Sequence, residues 1–86
     1  MKAIITVLGS DRPGIIAEVS AKLYEYNINI LDISQTILQN YFTMVMLVDL
    51  SGMKVSYKEM TDVLNRTAEV IGVEIRMQRS EIFDAM

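Results

Sequence analysis

At 86 residues and 9.8 kDa the chain has room for one small domain, and a chain this short buries only about two-thirds of its unfolded surface. It has no cysteine and no histidine, which excludes disulfide staples, Cys- or His-ligated zinc, a thiol nucleophile and an imidazole base. With a net charge of −3 and a pI near 4.7, nothing suggests attraction to phosphate backbones, and no nucleic-acid partner is expected. No apolar run approaches the roughly 18 residues of a membrane span, and Met1 to Gly14 carries no signal-peptide pattern. No membrane partner is expected, and a cytoplasmic location is. Yet 51% of the residues are hydrophobic and the mean hydropathy is +0.28. That much apolar surface on a small domain points to a covering partner.

The first strand spans Lys2 to Leu8, rich in β-branched residues and stopped by Gly9. Ser10-Asp11-Arg12-Pro13-Gly14 reads as a helix start, with Ser10 or Asp11 capping free N–H groups and Pro13 and Gly14 inside the first turn. The helix runs to about Tyr26, with Ile16, Val19, Leu23 and Tyr26 forming its apolar stripe and Asn27 a left-handed stop. A second strand, Ile28 to Leu38, sets Asp32, Ser34 and Thr36 on one face against Leu31, Ile33 and Ile37. The Gln39-Asn40 turn uses the tolerance of Asn for positive φ. Tyr41 to Leu50 returns as a third strand with Phe42, Met44, Met46, Val48 and Leu50 on one face, Val45 and Leu47 on the other.

Ser51-Gly52 ends that strand, and Ser56-Tyr57-Lys58-Glu59 is a capping box. Met60, Val63, Leu64, Thr67 and Ile71 form the stripe of the second helix, ended by Gly72. Val73 to Arg79 alternates as a last strand with one wet face. Residues 1–80 thus form a single domain, and 81–86 are a tail whose Ile82 and Phe83 can dock on something apolar.

The order βαββαβ with right-handed crossovers predicts an α+β, ferredoxin-like sandwich. Its antiparallel sheet has order 4-1-3-2, with both helices on one face. The other face is apolar in the first and third strands, so a homodimer is expected, through sheet edges or through the open faces.

The chemistry-bearing motifs are sparse. Gly9 to Gly14 has the spacing of a phosphate loop, but Ile15-Ile16 stand where Lys-Ser/Thr would hold phosphate and magnesium. A strand end feeding a helix N-terminus suits a small carboxylate. Gly14 leaves room for close approach, and Asp11 adds an acceptor for an ammonium group. Together they suit a zwitterion such as an amino acid. Equally, Asp11 can simply cap the helix and Gly14 ease packing. Asn29, a poor strand former near a strand start, clamps either a turn or a ligand. Asp32 and Asp49 are placed apart on different strands, Asp49 at the far end, so they form no acid–base pair. The seven methionines read as adaptable core and interface filling. Tyr41 and Phe42 lack the basic, glycine-rich surroundings of an RNA-stacking platform.

Asp11-Arg12-Pro13-Gly14-Ile15, followed by Asn27-Ile28-Asn29-Ile30, resembles the ACT domain family of small-molecule-binding regulatory modules. The likeness spans Lys2 to Arg79 and is greatest to single-ACT-domain proteins, akin to the ACT halves of the glycine-cleavage regulatory protein. It implies a non-enzymatic regulatory domain that binds an amino acid or similar metabolite at a homodimer interface and signals to a partner enzyme or regulator. The implied ligand-binding residues are Ser10, Asp11, Arg12, Pro13, Gly14, Ile15, Asn29 and Ile30, with Asp11 and Asn29 meeting the ligand across the subunit interface. Gly9 stands where the serine-binding members carry a histidine, and Asp11 favours an ammonium-bearing ligand. No metal or other cofactor is implied. The alternative is an interaction module of the same fold, without a ligand, acting through its dimer surface. An acylphosphatase-like enzyme would need Arg12 as its phosphate cradle, on fold analogy alone.

Overall fold

The computed structural model describes residues 1–81; the tail's Ile82 and Phe83 lie outside the described residues. The elements run β1 (Lys2–Ser10), α1 (Ile15–Glu25), β2 (Asn29–Leu38), β3 (Tyr41–Asp49), α2 (Tyr57–Ile71) and β4 (Val73–Arg79). The antiparallel sheet has order β2-β3-β1-β4, which is the expected ferredoxin-like arrangement with both helices on one face. Its helix side carries Ala3, Ile5 and Val7 of β1, Phe42, Met44, Met46 and Val48 of β3, and Ile75 and Met77 of β4, all buried. Against them pack Ile15, Val19 and Leu23 of α1 and Met60, Val63, Leu64, Thr67, Ala68 and Ile71 of α2.

The second helix forms as its sequence demands. Ser56 Oγ accepts from the Glu59 N–H at 3.1 Å, and Gly72 closes the helix at φ 76° with its N–H on the Ala68 carbonyl. Asn27 is left-handed at φ 60°, as expected.

Four local expectations need correcting. β1 does not stop at Leu8 but runs to Ser10, because Gly9 lets β4 approach: a Cβ at Gly9 would lie 2.7 Å from Val73 Cγ1. α1 begins only at Ile15, so Pro13 and Gly14 precede its first turn. Gly14 sits at φ 93°, a conformation open to glycine, and the helix cannot begin before it. The start at Ile15 turns the row Ile15, Val19, Leu23 onto the sheet and leaves Ile16 outside, 38% exposed. At the β2–β3 turn Gln39, not Asn40, takes positive φ, at 57°.

In β2 a bulge at Leu31 separates Asn29 and Ile30 from the regular run Asp32 to Leu38. Cross-strand partners share a face. Ile33 and Ile37, opposite Met46 and Phe42, therefore lie on the helix side, while Asp32, Ser34 and Thr36 lie on the open side. The helices do not reach them: Ile33 stays 45% and Ile37 50% exposed. The open face of the sheet presents Ile4 and Leu8 beside Val45 and Leu47, none fully buried.

Candidate functional site

The β1–α1 loop is held at one end of the sheet. Ser10 ends β1 opposite Tyr41, and the Asp11 N–H donates to the Asn40 carbonyl at 2.9 Å. Arg12 precedes a proline and is therefore disfavoured from helix; Pro13 and Gly14 then turn the chain into α1. The capping role expected of Ser10 or Asp11 does not materialise. The N-cap is Gly14, and among the described residues no side chain bonds the first helical N–H groups. The physical reason is spacing: with three residues between Asp11 and the helix start at Ile15, the carboxylate is too early in the chain to sit at the cap. The Asp11 carboxylate makes no hydrogen bond or ion pair among the described residues. An acceptor thus stands exposed near a helix end whose donors no side chain satisfies.

The remaining loop residues have settled roles in the fold. Ile15 is 1% exposed and belongs to the core. Arg12 turns its guanidinium onto the chain, with Nε and one Nη donating to the Ile71 carbonyl at 3.2 and 2.9 Å. Pro13 is exposed, and a Cβ at Gly14 would meet only Arg12 Nη1, at 3.9 Å. Beside the loop, a shallow hollow of about 450 Å³ is walled by Gly9, Ser10, Tyr41, Gly72 and Glu74. A larger hollow of about 810 Å³ flanks β4 and α2 and contains none of the loop residues.

Asn29 is elsewhere. It opens β2 opposite Asp49, whereas Ser10 lies opposite Tyr41 at the other end of β3. At the rise of a strand those two ends are roughly 27 Å apart. One chain therefore does not bring Asp11 and Asn29 together. Asp49 is not remote from β2, contrary to the sequence reading, because it pairs directly with Asn29. The Ser51 hydroxyl, 2.6 Å from Asp49 Oδ1, and then the Ser51 N–H hold that carboxyl below the usual carboxylate range. Asp32 Oδ1 accepts from the Ile33 N–H at 2.8 Å. Each carboxylate is thus bonded to residues near it in sequence, Asp32 within β2 and Asp49 at the end of β3. Ile30 is half-buried against the core. The Ile71 carbonyl, Arg12's partner, had no sequence signal: the two residues lie 59 positions apart.

Residues 2–78 match the model of the ACT domain family, and the chain belongs to that family, whose members are regulatory, non-catalytic modules. It is 55% identical to a UPF0237 protein of Clostridium acetobutylicum, over 100% of this chain and 97% of that one. Its fold is similar to that of an ACT domain protein from Streptococcus pneumoniae, with a TM-score of 0.87 and 44% identity over 100% and 97% of the two chains. It is also similar to the regulatory subunit of aspartate kinase from Thermus thermophilus, with a TM-score of 0.70 and 28% identity over 92% of this chain and 51% of that one. Among the described residues, no helix is long and apolar enough to cross a membrane.

Proposed function

We propose that this ACT domain acts in the cytoplasm as a homodimer that binds an amino acid, or a similar small zwitterion, at its subunit interface and signals to a partner enzyme or regulator. One observation carries the reading. The free Asp11 carboxylate and Asn29 sit at opposite ends of one sheet, and the strand that starts at Asn29 is an unguarded edge. β2 has no Lys, Arg or Pro, its only charge is Asp32, and Leu31, Ile33, Ile37 and Leu38 are all exposed. Such an edge favours pairing with another strand. The opposite edge, β4, carries Glu74 and Arg76, the charges that blunt edge-to-edge association.

A second copy is the occupant that suits β2. A two-fold, antiparallel β2–β2 pairing centred on Ser34 keeps opposed residues on one face and, with the extra residue of the Leu31 bulge counted, sets the partner's Asn29 opposite Leu38. Leu38 pairs with Tyr41, and Tyr41 with Ser10. The partner's Asn29 would thereby arrive at the loop's end of the sheet. Asp11 would then receive the ligand's ammonium group, and the uncapped start of α1 its carboxylate. The likeness to a regulatory subunit of aspartate kinase supports signalling to another protein.

A thermal-shift screen with the twenty amino acids tests the reading. An amino acid at 100 times its Kd stabilises by about 2.7 kcal/mol, a shift on the order of 10 °C for a domain this size. Asp11→Asn should leave the unliganded melting point unchanged, since Asp11 caps nothing, and should abolish most of the shift. A blank screen favours the ligand-free interaction module.

A further inference from the structure

Arg12 belongs to the candidate loop, yet its guanidinium is directed at the far end of α2. Nε and Nη2 both donate to the Ile71 carbonyl, Nη2 also reaches the Glu18 carboxylate at 3.2 Å, and Nη1 donates to the Pro13 carbonyl at 2.9 Å. The Ile71 carbonyl lies in the last turn of α2, where carbonyls have no intrahelical donor and the helix end is negative. The planar fork of an arginine can supply two donors to that one oxygen; a lysine ammonium cannot reproduce the pattern.

The loop touches the same corner a second time. Gly9 lies so close to Val73 that a Cβ there would come 2.7 Å from Val73 Cγ1. Gly9 and Arg12, on either side of Asp11, thus bear on Ile71 and Val73, with only Gly72 between. Gly9 is paired with Val73 through the sheet, whereas the loop's hydrogen bonds to the end of α2 come from the Arg12 side chain.

We propose that Arg12 is a positioning residue that ties the candidate ligand loop to the α2–β4 corner, so that the two move as one unit and ligand affinity depends on Arg12 without contact. The affinity part rests on reading the loop as the ligand site; the mechanical part does not. Through this tie, a ligand that shifts the loop displaces the start of β4, at the sheet edge opposite the proposed dimer contact.

Amide hydrogen exchange on the full chain tests the tie, with Arg12→Lys and Arg12→Met beside the wild type. The amides of Asp11, Glu18 and Gly72, bonded to Asn40, Gly14 and Ala68, should exchange at least tenfold faster in both variants. Those of Ile5 and Met46, in the central strands, should change far less. Acceleration that is uniform across the sheet, or absent at Asp11 and Glu18, would overturn the proposal. In parallel, the amino acid giving the largest thermal shift should bind at least tenfold more weakly to both Arg12 variants. Glu18→Gln, which leaves both Ile71 bonds in place, should change affinity less than threefold. Unchanged affinity in both Arg12 variants also overturns the proposal. If no amino acid binds the wild type, the ligand reading fails and the exchange comparison still decides the tie.

Discussion

Gly14→Val should lower the melting temperature by roughly 10 °C or more. Gly14 holds φ at 93°, and a branched Cβ in that region costs roughly 2–3 kcal/mol. For a domain of this length each kcal/mol is worth about 4–8 °C. Space is not the cause, because among the described residues a new Cβ would meet nothing closer than Arg12 Nη1 at 3.9 Å, apart from its chain neighbours. The sequence alone suggests the reverse: placed inside a helical turn, valine costs under about 1 kcal/mol and can even gain over glycine. Gly14→Asn separates the two accounts, since asparagine tolerates left-handed backbone and should lose much less than valine. Equal, small losses for both would mean that Gly14 is helical after all.

Ile33→Lys should abolish the dimer while leaving the folded chain intact. Ile33 is 45% exposed and central in β2, and a surface substitution usually changes stability by within about 0.5 kcal/mol. In that antiparallel β2–β2 contact, two lysines would stand diagonally across the two-fold axis on one face of the sheet, where like charges and lost apolar burial act together. Association should weaken more than a hundredfold, read by sedimentation equilibrium across micromolar concentrations. A substitution on the open face, Val45→Lys, should leave association unchanged; if it alone disperses the dimer, the copies meet face to face.

The order of elements was legible because its signals are local. β-branched alternation marks β1 and β4, Ser56 and Gly72 bracket α2, and the methionines of β3 keep a period of two. What escaped depends on backbone geometry or on distant partners. Pro13-Gly14 reads as a helix start, although the positive φ of Gly14 places it before the first turn. The same error put Ile16 where Ile15 heads the buried stripe, while Val19 and Leu23 fall on it as expected. Gly9 ends a strand by propensity, but packing against Val73 keeps it inside one. The Leu31 bulge carries no glycine to announce it, and it brings Asn29 opposite Asp49. For the candidate site, residue types were visible and positions were not: Asp11 and Asn29 can be named from the motif, but only the sheet register places them at opposite ends.

The central claim is that Asp11 of one chain and Asn29 of its partner complete one site. Asp11→Asn and Asn29→Ala homodimers should each bind the amino acid found in the screen at least tenfold more weakly than wild type. When the two are unfolded together and refolded, each heterodimer carries one site with both wild-type residues and one with neither. Calorimetric titration of the mixture should then recover wild-type affinity at about one site in four, the share set by random pairing of two chains with one intact site per heterodimer. A mixture that binds no better than its two parents would contradict the account and place both residues' roles, if any, within a single chain.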